Sequence, residues 1–168
     1  MVQQVIPLCA IADRDMAAEL GEDHLKLYDY WAGLAAPGQL PFWRDFDPLG
    51  VPPALLSRLW VTEVRIDPPR LRYRLVGTQI VASYGIDTTG RDFAEVWPHI
   101  AVRPSYADRY IDAVRTGIPN FRRGKPILVT QHNWGLIENL MLPFQHPGLF
   151  GIVLGHSRLF SAQGKVIF

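Results

Sequence analysis

The chain has 168 residues, of which 17 are basic and 16 acidic, so its formal net charge of +1 excludes a global field drawing it to nucleic acid or to an anionic membrane. With 48% hydrophobic and 20% charged residues, it has the composition of a folded chain and a length that suits one domain with an elaborated end. The single Cys9 excludes an intrachain disulfide framework and a cysteine-based zinc site, and no apolar run approaches the roughly 18 residues of a membrane span. The start, Met-Val-Gln-Gln-Val-Ile-Pro-Leu-Cys-Ala, lacks a basic n-region and a sustained apolar region, so a soluble, cytoplasmic protein is expected. Fourteen of the 17 basic residues are arginine, which reads first as composition bias and only weakly as an anion-binding surface.

Asp13 to Ala36 has helical periodicity, with Gly21 as a candidate break. Leu20, His24, Leu27, Tyr28, Trp31, Leu34 and Ala35 share one face, Glu22, Lys26 and Asp29 the other, and Pro37-Gly38 ends it. Gln39 to Pro53 carries four prolines with Phe42, Trp43 and Phe46; three large rings need burial, so an ordered connection is expected. Ala54 to Ser57 adds a helical turn. Arg58 to Ile66 then reads as a strand with Trp60, Thr62, Val64 and Ile66 facing one way, and Asp67-Pro-Pro-Arg70 supplies a turn. The partner strand alternates strictly, with Arg70, Arg72 and Arg74 on one face and Leu71, Tyr73 and Leu75 on the other. That pattern predicts a sheet that is wet on one side.

At Gly77 the period changes. Thr78 can cap a short helix through Ile80, Val81 and Tyr84 that Gly85 would end, and Asp87-Thr-Thr-Gly90 reads as a turn in a run of short helices reaching Trp97. Pro104 and Gly117 bracket a stronger helix, with Tyr106, Ala107, Tyr110, Ile111 and Val114 on one face and Arg103, Asp108, Arg109, Asp112 and Arg115 mostly toward solvent. Three strand candidates follow: Phe121 to Thr130; Leu136 to Phe144, with Leu140, Leu142 and Phe144 together; and Phe150 to His156, with Ile152 and Leu154 together, after a His146-Pro-Gly148 turn. This order argues for an α+β fold, an antiparallel sheet with helices on one face.

Several motifs carry a resemblance in this order. They are Tyr30-Trp31 before Gly38-Gln-Leu40-Pro41, Asp45-Phe-Asp47-Pro48, Leu55-Leu56, Tyr73-Arg-Leu-Val-Gly-Thr78, Gly85-Ile-Asp-Thr-Thr-Gly-Arg91, and Leu142-Pro143. From about Asp23 to His156 the chain resembles a PAS domain, and more narrowly the bacterial stand-alone PAS proteins. The resemblance implies five antiparallel strands in a curved sheet, short helices and one longer helix packed across it, and a pocket between sheet and long helix; the Asp13–Ala36 helix is then an extra N-terminal element outside that core. It also implies a sensory or protein-interaction module in signal regulation, usually dimeric. On this reading residues 1–53 hold the N-terminal helix and aromatic connection, 54–158 the core and 159–168 a tail. No output segment follows Phe168, so output is expected to pass to another, unknown regulatory protein.

The pocket candidates are Tyr73, Leu75, Val81, Tyr84, Trp97, Tyr106, Tyr110, Val114, Leu140, Leu142, Ile152 and Leu154. Their hydroxyls and apolar walls suit a small ligand, although the stronger reading is that they fill the core outright. Heme-binding PAS domains place a histidine on the long helix, where this chain has Tyr106 and Tyr110. His99, His132, His146 and His156 show no ligand spacing, and Cys9 lies outside the core, so no heme, flavin or metal is expected. Arg65, Arg70, Arg72 and Arg74 can bind an acidic partner or, more simply, form an ion-pair ladder with Glu63. Leu20, His24, Leu27, Tyr28, Trp31 and Leu34 are candidates for a homodimer or partner helix, unless they cover the domain's own sheet. No phosphate loop, nucleophile elbow or His-Glu-x-x-His occurs. The enzyme alternative is a cone-shaped, ketosteroid-isomerase-like fold with Asp87, Asp92 or Glu138 as a buried base. A non-enzymatic regulatory module, binding a small ligand or a protein partner, is the expectation.

Overall fold

The computed structural model describes the backbone of residues 4–7 and all of residues 20–128 and 134–168; Cys9, Asp13 and His132 fall outside these. Among the described residues six strands form one sheet: β1 (Gln4–Pro7), β2 (Leu59–Ile66), β3 (Pro69–Val76), β4 (Asn120–Gly124), β5 (Leu136–Phe144) and β6 (Gly151–Phe160). Their order is β1-β4-β5-β6-β2-β3, and every pairing is antiparallel. The five expected strands are therefore present in one layer. A sixth, β1, extends the sheet by pairing with β4 from Gln4 opposite Arg123 to Pro7 opposite Asn120.

Helices α1 (Glu22–Ala32), α2 (Pro53–Leu56), α3 (Thr78–Tyr84), α4 (Phe93–Val96), α5 (Pro98–Ala101) and α6 (Asp108–Thr116) fill the connections. Gly85 and Gly117 sit at the ends of α3 and α6 with φ of 72° and 69°, the left-handed closure that glycine adopts without strain. Thr78 is not the cap of α3: Gly77 holds that place, and no side chain caps the helix. Gly77 is fixed by contact, since a Cβ there would lie 2.3 Å from the Ser57 carbonyl oxygen. The long helix starts four residues after Pro104, because residues 103–107 form turns that bring the Tyr106 hydroxyl onto the Pro69 carbonyl at 3.0 Å. Helix α1 is shorter than the periodicity of Asp13 to Ala36 suggests, and the part before Leu20 lies outside the described residues. The supposed tail begins inside β6 and folds back, with Phe160 bridged to Val166 and Leu159 bonded to Phe168.

The sheet is not wet on one side. Helices α3 to α6 cover one face, where Trp60, Val64, Leu71, Tyr73, Met141 and Val153 meet Ile80, Phe93, Trp97 and Ile111. Helix α1 and the Leu40–Leu56 connection cover the other, where Leu59, Val61, Leu140, Leu142, Ile152 and Leu154 meet Leu27, Trp31 and Leu55. β5 and β6 are buried along nearly their whole length on both faces. Among the strands whose side chains are described, only β3 shows the wet alternation read from the sequence, because it is an edge strand and its arginine face is exposed. The aromatic connection is packed through two of its three rings: Trp43 stacks on Phe46 at 4.8 Å and both meet Phe144 edge-on, while Phe42 is exposed, against the expectation that all three would be buried.

Candidate functional site

The space between the sheet and α6 is set by small residues on β6. Gly151, Val153, Gly155 and Ser157 face α6, since their partners Trp60, Val64 and Met141 belong to that face. A Cβ on Gly151 would lie 2.1 Å from Val114 Cγ1, and one on Gly155 would lie 2.0 Å from the Trp60 ring. The two glycines thus let α6 and the indole lie directly on the strand. Trp60 Nε1 donates to Ser157 Oγ at 2.9 Å, and that hydroxyl donates to Asn139 Oδ1 at 2.9 Å, a polar chain through an otherwise apolar layer. Trp97 Nε1 donates to the Tyr73 hydroxyl at 3.1 Å.

Around these groups the free space is small. A cavity of about 60 Å³, bounded by Trp60, Tyr73, Tyr84, Trp97, Tyr110 and Asn139, has room for one or a few waters. Tyr84, Tyr110, Leu128 and Asn139 also form the wall of a larger hollow of about 350 Å³ that opens to solvent between α5, α6, β4 and β5. Arg109 and Arg122 line this hollow. Arg122 is 2% exposed and donates to the Lys125 carbonyl; Arg109 donates to Asn120 Oδ1 at 2.7 Å. Burial lowers both guanidinium pKa values, that of Arg109 to about 10, and raises the phenols of Tyr73, Tyr84 and Tyr110, the last to about 12.

Of the sequence candidates, Tyr73, Tyr84, Trp97 and Tyr110 line the small cavity, and Tyr106 joins Tyr84 and Tyr110 in lining the larger hollow. Val114 packs on Gly151, away from both. From α3, Ile80 enters the lining beside Tyr84, and Val81 does not. Leu140, Leu142, Ile152 and Leu154 are on the opposite face, in the core under α1. Leu75 is there too, lining a groove with Trp43, Phe46 and Val61. Val61 pairs with Leu75 but Thr62 with Tyr73, so Arg74 is an extra, bulged residue that turns Leu75 over. Arg109 does not point to solvent as α6 periodicity suggested. The sequence reading missed Asn139, Ser157, Arg109 and Arg122; the small residues at alternate positions of Gly151 to Ser157 were the available signal.

The candidate partner stripe of α1 lies on the domain's own sheet. His24, Leu27 and Trp31 are buried, Leu20 joins the same core, and Tyr28 and Leu34 pack at its margin. Trp31 Nε1 donates to the Pro143 carbonyl at 2.8 Å, and Asp23 pairs with Arg58 at 2.9 Å. Below α1 the His24 and His156 rings share an Nδ1–Nδ1 hydrogen bond of 2.9 Å. Glu138 lies 3.6 Å from His24 Nε2, 3.2 Å from Arg158 and 3.7 Å from Arg123. The other two candidate bases are surface groups: Asp87 accepts from the Thr89 amide at 2.9 Å, and Asp92 accepts from Arg70 Nε at 3.0 Å. The arginine row is largely paired, with Arg74 on Glu63 at 3.2 Å and Arg72 on the Gly90 carbonyl at 3.1 Å. Among the described residues no three of His, Cys, Asp and Glu gather as metal ligands.

One antiparallel sheet, short helices and a longer helix over one face agree with a family comparison, in which the PAS domain model matches residues 22–148. The chain belongs to the PAS domain family. No curated protein and no solved structure matches it. PAS membership indicates a sensory or regulatory module, and the matched span takes in α1 as well as the central core. Among the described residues no helix is long and apolar enough to cross a membrane.

Proposed function

We propose that this PAS domain is a non-enzymatic cytoplasmic sensor of bacterial signal transduction, which binds a small ligand beside α6 and passes the change to a protein partner through α1. The observation that carries the reading is the placement of the hollow and α1 on opposite faces of the same strand. On β5, Ile137 and Asn139 line the hollow, while the intervening Glu138 and the following Leu140 lie under α1. A shift of β5 by a bound molecule is therefore felt at the His24 contact. A homodimer and an unidentified regulatory partner belong to this reading. Because the apolar stripe of α1 is occupied by its own sheet, a partner meets either its outward residues Glu22, Lys26 and Asp29 or a released helix.

A plain adaptor with a filled core is the second reading, favoured by the cavity of only about 60 Å³ under the aromatic layer. The ketosteroid-isomerase-like alternative gains nothing from the geometry, since Asp87, Asp92 and Glu138 all lie away from the cavity floor. Native mass spectrometry on freshly purified protein tests the choice. A retained small-molecule mass is the expected result; bare polypeptide mass together with no thermal shift across a metabolite panel would leave the adaptor.

A further inference from the structure

We propose that the open hollow beside α6 is a binding site for a small organic acid, its carboxylate held by Arg109 and Arg122 and its apolar body by the surrounding rings and aliphatic side chains. This rests on the sensory reading above and names the ligand class of that site. A guanidinium largely withdrawn from water is normally paired with a carboxylate, because desolvating an unpaired charge is unfavourable. Here neither is paired: no carboxylate of the described residues forms an ion pair with Arg109 or Arg122. Each donates to one neutral oxygen, and the Nε–H of each is buried with no acceptor. Arg122 is 2% exposed and Arg109 half-buried, and what each leaves uncovered borders the hollow, where a ligand's oxygens would meet it.

The charge balance of the lining points the same way. Arg103, Arg109 and Arg122 face a single acid, Asp108. A carboxylate suits the planar guanidinium fork, which offers parallel N–H donors to two oxygens. Ile127, Ile137, Tyr106 and Phe93 complete the walls, so an inorganic anion would leave apolar surface uncovered. A volume of about 350 Å³ is at the lower end of ligand pockets, which limits the molecule to a small acid. Tyr84 and Tyr110 stay protonated there and can donate to the same oxygens.

Isothermal titration of the full chain with benzoate and hexanoate, against benzamide and inorganic phosphate, tests this. Benzoate or hexanoate is expected to bind at least tenfold more tightly than benzamide or phosphate, and Arg122→Met to lose at least tenfold in affinity with its far-ultraviolet dichroism unchanged. Should Arg122→Met not fold, Arg109→Lys, which keeps the charge and loses the fork, is expected to weaken binding severalfold. Equal binding of acid and amide, preference for phosphate, or unchanged affinity in the folded variants would overturn the assignment. A neutral molecule retained in native mass spectrometry, with no acid bound, overturns this ligand class and leaves the sensory reading standing. No bound molecule of either kind removes both.

Discussion

At single residues the informative group is the histidine pair beneath α1. With one Nδ1–Nδ1 hydrogen bond between them, one ring must donate and the other accept, so the accepting ring must be neutral and the bond cannot form when both are protonated. Burial is the main cause that lowers the pKa of His24, against the raising effect of Glu138, and burial with the neighbouring His24 holds His156 well below its ordinary value. Both are depressed relative to the unfolded chain, which binds more protons once the pH falls below about 6.5. The contribution is thus present above that pH and is lost on acidification, by up to about 1.4 kcal/mol per pH unit for each histidine that must stay neutral. Thermal midpoints measured from pH 8 to pH 5 should fall below pH 6.5, and His156→Gln should flatten the slope. A profile equally steep in the variant would assign the acid sensitivity elsewhere. Gly155 makes a second prediction. Gly155→Ala drives a methyl group into the Trp60 ring from a central strand that cannot retreat, and should cost about 1–3 kcal/mol by urea denaturation.

Among the elements, α1 contributes most to the difference between this molecule and a bare five-stranded core. Its stripe supplies His24, Leu27 and Trp31 to a face that would otherwise expose Leu140, Leu142, Ile152 and Leu154. Trp31→Ala removes both a large buried ring and the donor to Pro143, and is expected to destabilise the protein by about 3–5 kcal/mol. Trp31→Phe, which leaves that carbonyl unsatisfied but keeps a ring, should cost less, about 1–3 kcal/mol. Limited proteolysis is the second readout: in Trp31→Ala, cleavage around Pro37-Gly38 should quicken while fragments of the central strands persist. Helix α6 was legible from Gly117 and from the Tyr110, Ile111 and Val114 spacing. Its start was not, since residues 103–107 are turned by a tertiary contact, the Tyr106 bond to Pro69, that no local pattern encodes.

For the molecule as a whole, β5 and β6 join two cores, one under α1 and one under α6. If a ligand in the hollow changes how α1 sits, linkage requires that loosening α1 change the ligand's affinity by the same factor. Amide exchange of residues 22–32 with and without saturating benzoate should differ by about fivefold or more, the usual lower end of such coupling. Identical exchange would confine any bound acid to a local role. By itself the sequence determined the hairpin of β2 and β3, the closing glycines of α3 and α6 and the span of β5, because each is written in local periodicity or turn chemistry. Which face each apolar residue of β5 and β6 occupies was decided only by the tertiary structure. A strand buried on both sides has no polar phase to read, so Leu140, Leu142, Ile152 and Leu154 look the same pointing either way. The bulge at Arg74, the unpaired guanidiniums and the histidine contact likewise exist only where distant segments meet, and no spacing along the chain measures that distance.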